Sequence, residues 1–126
     1  MNWVDESLAD FGRTMGLDPL RFNERGVISL VFERSGSLFI ERLEHGVLMY
    51  LCRELPRPDK DIFARALDFC HWRHNHPYQV NAALRKSRLL VFAVRLREDE
   101  VTVPVLEQVF RLLGRLHDET QNGAST

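Results

Sequence analysis

Three histidines, two cysteines and a few carboxylate pairs are the residues of this chain whose types and spacing could do chemistry. His71 and His74 stand three apart and could share a helix face, with His76 just beyond. A zinc site needs a tetrahedral set. Histidines near a helix C-terminus are already favoured by the helix dipole, and no metal is the expectation. Cys52 and Cys70 are flanked by apolar residues on predicted core elements, where a thiol behaves as a small hydrophobe rather than a nucleophile. The pairs Asp5/Glu6 and Asp59/Asp61 and the run Glu98-Asp99-Glu100 fall at caps or in a loop, without the burial that tunes a general acid. The glycines are scattered singly and form no phosphate cradle. The sequence therefore predicts no enzyme, no metal and no cofactor.

Nucleic acid is the next class of ligand. The turn Arg85-Lys86-Ser87-Arg88, with Tyr78 and Phe92 nearby, could imitate a sheet platform for RNA. Seventeen basic residues against eighteen acidic leave a net charge of −1, without the broad positive field such binding uses. A small RNA-binding module is thus the rival from a different class, and a satisfied hairpin turn the expectation. Fifteen of the basic residues are arginine, the cation best suited to protein interfaces. No carboxylate occurs between Phe69 and Leu96, where Arg73, Arg85, Lys86, Arg88 and Arg95 all fall.

The elements that position these residues can be read from periodicity. Val4, Leu8, Phe11 and Met15 form one stripe of a first helix, with Asn2 as its cap and Gly16 at its exit. After a connector, the β-branched and aromatic runs Gly26–Glu33, Leu38–Leu43 and Val47–Cys52, joined by Ser35-Gly36-Ser37 and Glu44-His45-Gly46, predict an antiparallel meander. Asp59 caps a second helix expected to reach Asn75. Ile62, Phe63, Ala66, Leu67, Phe69 and Cys70, with Trp72 beyond, give that helix an apolar arc wider than one sheet contact requires. Tyr78–Leu84 and Leu89–Val94 are two more strands. Thr102 and Pro104 start a third helix carrying Val105, Val109, Leu112 and Leu116. The order α-β-β-β-α-β-β-α predicts an α+β fold with a mainly antiparallel five-stranded sheet and three helices. Residues 1–119 make one domain, and 120–126 are expected as a disordered polar tail.

At 126 residues and 44% hydrophobic, the chain can bury a real core. No apolar run approaches the ~20 residues of a membrane span, the N-terminus lacks the pattern of a secretory signal, and two cysteines make a disulfide framework unexpected. A cytoplasmic protein is the expectation.

Several stretches then resemble one family. Met1-Asn2-Trp3-Val4, the hairpin at Ser35-Gly36-Ser37-Leu38, and Leu89-Leu90-Val91-Phe92 leading to Thr102-Val103-Pro104-Val105-Leu106 look like the class I type III secretion chaperones. These belong to the Tir chaperone family, and the likeness is to its SycN-like members. The connector Leu17–Gly26 and the region Pro77–Arg88 are the least alike. The resemblance implies a non-enzymatic cytoplasmic dimer that holds the N-terminal segment of a secreted protein in extended form. For SycN-like members it implies pairing with a YscB-like co-chaperone, service to a YopN-like gatekeeper of secretion, and a place at the inner membrane through the secretion apparatus. A homodimeric chaperone of a secreted effector is the alternative within the same fold. The family is commonly strongly acidic, whereas this chain has a pI of about 6.5.

An extended client would add a strand to an open sheet edge and seat apolar anchors between the first helix and the sheet. Leu8, Phe11, Val27 and Phe32 are the residues expected at that surface, with plain core as the alternative reading at each. Phe63, Leu67, Cys70 and Trp72 on the second helix are those expected at the subunit interface.

Overall fold

The computed structural model describes residues 2–56, 60–71, 76–86 and 88–122. The first helix, α1 (Trp3–Thr14), starts where the Asn2 side chain accepts a hydrogen bond from Val4 N at 3.0 Å, with Asp5 and Glu6 in its first turn. Strands β1 (Val27–Phe32), β2 (Gly36–Leu43) and β3 (Gly46–Glu54) form the meander. Helix α2 (Lys60–Phe69) follows, then β4 (Val80–Arg85), β5 (Leu89–Arg97), a short 3-10 turn at Glu98–Glu100 and α3 (Val103–Asn122).

All five strands join one antiparallel sheet in the order β1-β2-β3-β5-β4, which leaves β1 and β4 as edges. Side chains alternate across a strand. One parity (Ile28, Ile40, Met49, Leu51, Phe92, Val94 and their neighbours) enters the core with Leu8 and Phe11 of α1 and Leu106, Leu113 and Leu116 of α3. Every strand residue in the core cluster has this parity, so the helices lie on one face of the sheet.

Two ends depart from the sequence reading. Helix α2 stops at Phe69, where Cys70 N and His71 N donate three residues back, to Leu67 O and Asp68 O, in a tightening turn. The expected continuation through Trp72 to Asn75 lies outside the described residues. Helix α3 runs to Asn122, so Thr120 and Gln121 belong to the helix and not to a polar tail. Thr120 is buried and its Oγ1 donates to Leu116 O at 2.6 Å, hiding the polarity that suggested a tail. The remainder of the expected tail, 123–126, is outside the described residues.

Candidate client-binding edge and groove

The edge begins with a turn. Asn23 Oδ1 accepts from Arg25 N at 2.9 Å and from Val27 N at 3.0 Å, while Asn23 N donates to Val27 O at 3.0 Å. These bonds occupy the outward backbone groups of Val27, the first residue of the strand. On the other side, Arg42 N of β2 donates to Gly26 O at 2.8 Å, which fixes the alternation. Gly26, Ile28, Leu30 and Phe32 turn their backbone groups toward β2. Ser29 and Val31 turn theirs to the open edge, where an added strand would bond. Val31 is 84% exposed, the most open large apolar side chain among the described residues. Natural edges are usually blunted by charge or proline; this one carries neither between Val27 and Phe32.

Beside the start of this edge lies a groove of about 570 Å³. Leu8 and Ala9 of α1 form one side, Leu20 and Phe22 of the connector the other, and Arg42 reaches in from β2. The connector runs tight against α1 at Gly12, where a Cβ would come within 2.7 Å of both Asp18 O and Leu20 Cγ; glycine is required there by contact. The mouth carries mixed charge. Arg42 pairs with Asp5 at 2.6 Å and lies 4.4 Å from the centre of the Phe22 ring, and Arg13 pairs with Asp10. Apolar and charged side chains thus line the groove together.

The four residues expected at the client surface do not form one patch. Leu8 and Phe11 are each 1% exposed. Both belong to the core, and only Leu8 also lines the groove. Val27 faces the side of the sheet away from the helices, and Phe32 packs its ring 5.1 Å from that of Phe110 on α3. Sequence reasoning missed Phe22, Arg42 and the backbone of Ser29 and Val31. The alternation Leu20-Arg21-Phe22 was a signal for the first, and the unbroken apolar run Leu30-Val31-Phe32 for the edge.

On α2, Phe63 is half-buried against the core and Leu67 is 48% exposed; Cys70, in the turn that follows, is half-buried, and Trp72 lies outside the described residues. Burial pushes the Cys70 thiol up to about 11 and raises that of Cys52, the reverse of nucleophile activation. His71 is exposed, and His76 Nε2 lies 2.6 Å from Phe69 O. Arg88 of the basic turn donates to Leu55 O at 3.1 Å and Pro56 O at 3.0 Å, so it holds the chain leaving β3.

Residues 3–121 match the family of the type III secretory system chaperone SycN. The chain belongs to the SycN family. Chaperone protein SycN of Yersinia enterocolitica is 27% identical over 120 residues, covering 94% of this chain and 97% of that one. Among solved structures, the ExsC–ExsE complex matches with a TM-score of 0.72 at 19% identity, covering 94% of this chain and 92% of that one. The Yersinia pestis type III secretion chaperone SycH, in complex with a stable fragment of YscM2, matches at 0.67 and 16%, covering 94% and 98%. This member of the SycN family is thus a type III secretion chaperone, a non-enzymatic role, and its α+β fold is the one the sequence predicted.

Proposed function

We propose that this chain is one subunit of a chaperone pair, joined to a YscB-like co-chaperone, and that the pair holds the N-terminal segment of a YopN-like secreted gatekeeper in extended form. The observation that carries the reading is the open edge of β1. Ser29 and Val31 offer backbone donors and acceptors there, and the groove between α1 and Phe22 offers a seat for an apolar anchor, so a peptide can use both. Leu8 forms the groove floor, Phe11 supports it from the core, and Val27 and Phe32 bracket the edge strand. The co-chaperone would dock on α2 and the turn after it, through Phe63, Leu67 and Cys70, with Trp72 following in the sequence. The pair works in the cytoplasm and meets the inner membrane only through the secretion apparatus.

The test is co-expression with a small acidic co-chaperone and the gatekeeper's N-terminal segment, followed by size-exclusion chromatography with light scattering. A 1:1:1 complex is expected. Val31→Pro should lose the client and keep the co-chaperone, because proline at an outward edge position removes a donor without breaking the β1–β2 ladder. Phe63→Asp with Leu67→Asp should lose the co-chaperone. A wild-type chain that stays alone in the presence of both overturns the reading.

A further inference from the structure

The face of the sheet turned away from the helices is apolar at most positions. Where one face of an antiparallel sheet meets water, its outward positions are normally polar. Here Phe39 and Tyr50 stack with ring centres 5.1 Å apart at 18°, and Cys52 and Val91 are only 5% and 7% exposed although they lie outside the core cluster. Among the described residues no helix covers this face.

The two halves of the face differ in charge. On β2 and β3 the outward charges are Glu41 and Glu54, and Arg88 Nη2 lies 3.7 Å from the Glu54 carboxylate. On β4 and β5 they are Arg85, Arg95 and Arg97, with no carboxylate, so the acid-free stretch between Phe69 and Leu96 becomes one side of the sheet. Arg97 pairs with Asp99 at 3.1 Å. Arg85 and Arg95 are exposed, and neither pairs with a carboxylate among the described residues. Burial, then the Glu41 carboxylate, raise the Tyr50 hydroxyl, and burial raises the Cys52 thiol; the Arg85 charge opposes both, so it acts over this face. Between the two arginines Ala83, Val91 and Ala93 make a low floor, flanked by Tyr50 and Cys52 of β3 and open at the β4 edge. Beside Arg95 the floor ends in a cavity of about 490 Å³, whose lining includes Leu48, Gln79, Asn81 and Glu100. Glu100 is already engaged, accepting from Arg97 N at 2.9 Å.

We infer that the β4–β5 half of the bare face is a docking surface for an acidic amphipathic helix of a partner protein. A helix laid on a sheet is a standard way to cover such a face, and the small side chains of Ala83 and Ala93 let it approach closely. From Leu89, opposite Arg85, to Arg95 the strand advances six residues, about 20 Å. Helix residues at i and i+11 share a face and stand about 17 Å apart along the axis. Two carboxylates at that spacing, on flexible stems, reach both guanidiniums, and apolar residues at i+4 and i+7 fall on the floor between them. RNA fits the face less well. Phe39 and Tyr50 stack on each other, and two free arginines are few for a phosphate backbone. The surface is separate from the groove beside α1 and from α2, so it stands or fails independently of the client and co-chaperone readings.

The probe is a synthetic helical peptide of about 16 residues, with two glutamates eleven apart and leucines four and seven residues after the first. It is titrated into the isotope-labelled full chain, alone and in the chaperone pair, and followed by amide NMR shifts. Ala83, Val91, Ala93 and Arg95 should shift, with saturation below about 1 mM peptide. Arg85→Glu or Arg95→Glu should each weaken binding at least about fivefold, and a peptide with lysine in place of the matching glutamate should return it to within about threefold of wild type. Ala83→Glu, at an exposed position of the edge strand, should abolish binding. Circular dichroism confirms that each variant is folded, and the matched-peptide rescue excludes a merely structural loss. No shift by about 1 mM peptide, shifts confined to the α1 groove or α2, or arginine variants that bind like wild type would overturn the assignment. So would a face that the co-chaperone closes to the peptide, or a short oligouridine that binds the same arginines more tightly than the peptide does.

Discussion

His117 on α3 is fully buried, with its ring edge-on to Phe92 at 4.8 Å and its Nε2 2.8 Å from Leu51 O. A carbonyl accepts only, so Nε2 carries the hydrogen. Nδ1 is then a lone pair, buried and without a hydrogen-bond partner among the described residues. Protonating it creates a charged donor with nothing to donate to, with Arg53 as a repelling neighbour and the mostly exposed Asp118 as a weaker attraction. Burial, first among these causes, pulls the group down from 6.5 to about 4. The unfolded chain takes up the proton earlier than the folded one as pH falls. Stability from the neutral ring is therefore whole above about pH 6.5 and is lost progressively toward pH 4, by about 3 kcal/mol in all. Urea unfolding of wild type and His117→Phe between pH 8 and pH 4 isolates this effect, since carboxylate titrations are common to both. At pH 8 the variant should be less stable by about 1 kcal/mol for the lost hydrogen bond. At pH 4 the order should reverse, with the variant ahead by about 2 kcal/mol. Parallel stability curves across this range would refute the reasoning.

Four further outcomes follow from packing and pairing. Gly12→Ala drives a methyl into the Asp18 carbonyl and the Leu20 side chain, and should cost about 1–3 kcal/mol in denaturant unfolding and weaken client binding by displacing the groove wall. Arg53 donates from Nε to Ser35 O at 2.7 Å and from Nη1 to Asp118 at 2.6 Å with its side chain 13% exposed; Arg53→Met should cost about 1.5–3 kcal/mol. Asp118→Asn, at a carboxylate left 62% exposed, should cost under about 1 kcal/mol in the same assay. Asp5→Asn frees Arg42 at the groove mouth and should change client affinity while leaving the midpoint of thermal unfolding within a few degrees, because the pair is about two-fifths exposed on both sides.

The fold was legible because its elements obey simple periods. Val4, Leu8 and Phe11 mark α1, and runs of β-branched and aromatic residues mark the strands. Boundaries failed where tertiary contacts decide them: Thr120 reads as tail until Leu116 O and the core receive it. The client surface was half legible. Apolar residues at helix spacing announce burial, and burial alone does not distinguish a core residue such as Phe11 from a groove residue. The edge of β1 depends on strand order, and the groove depends on Gly12 admitting the connector. Neither is a local property of the sequence.

The central claim is that an extended client pairs with β1. Hydrogen exchange at single-amide resolution, on the chaperone pair with and without the gatekeeper's N-terminal segment, tests it most directly. Slowed exchange at Ser29 and Val31, with Ile28 and Leu30 already slow in both states, is the predicted result. Unchanged exchange at Ser29 and Val31 in a saturated complex would contradict it.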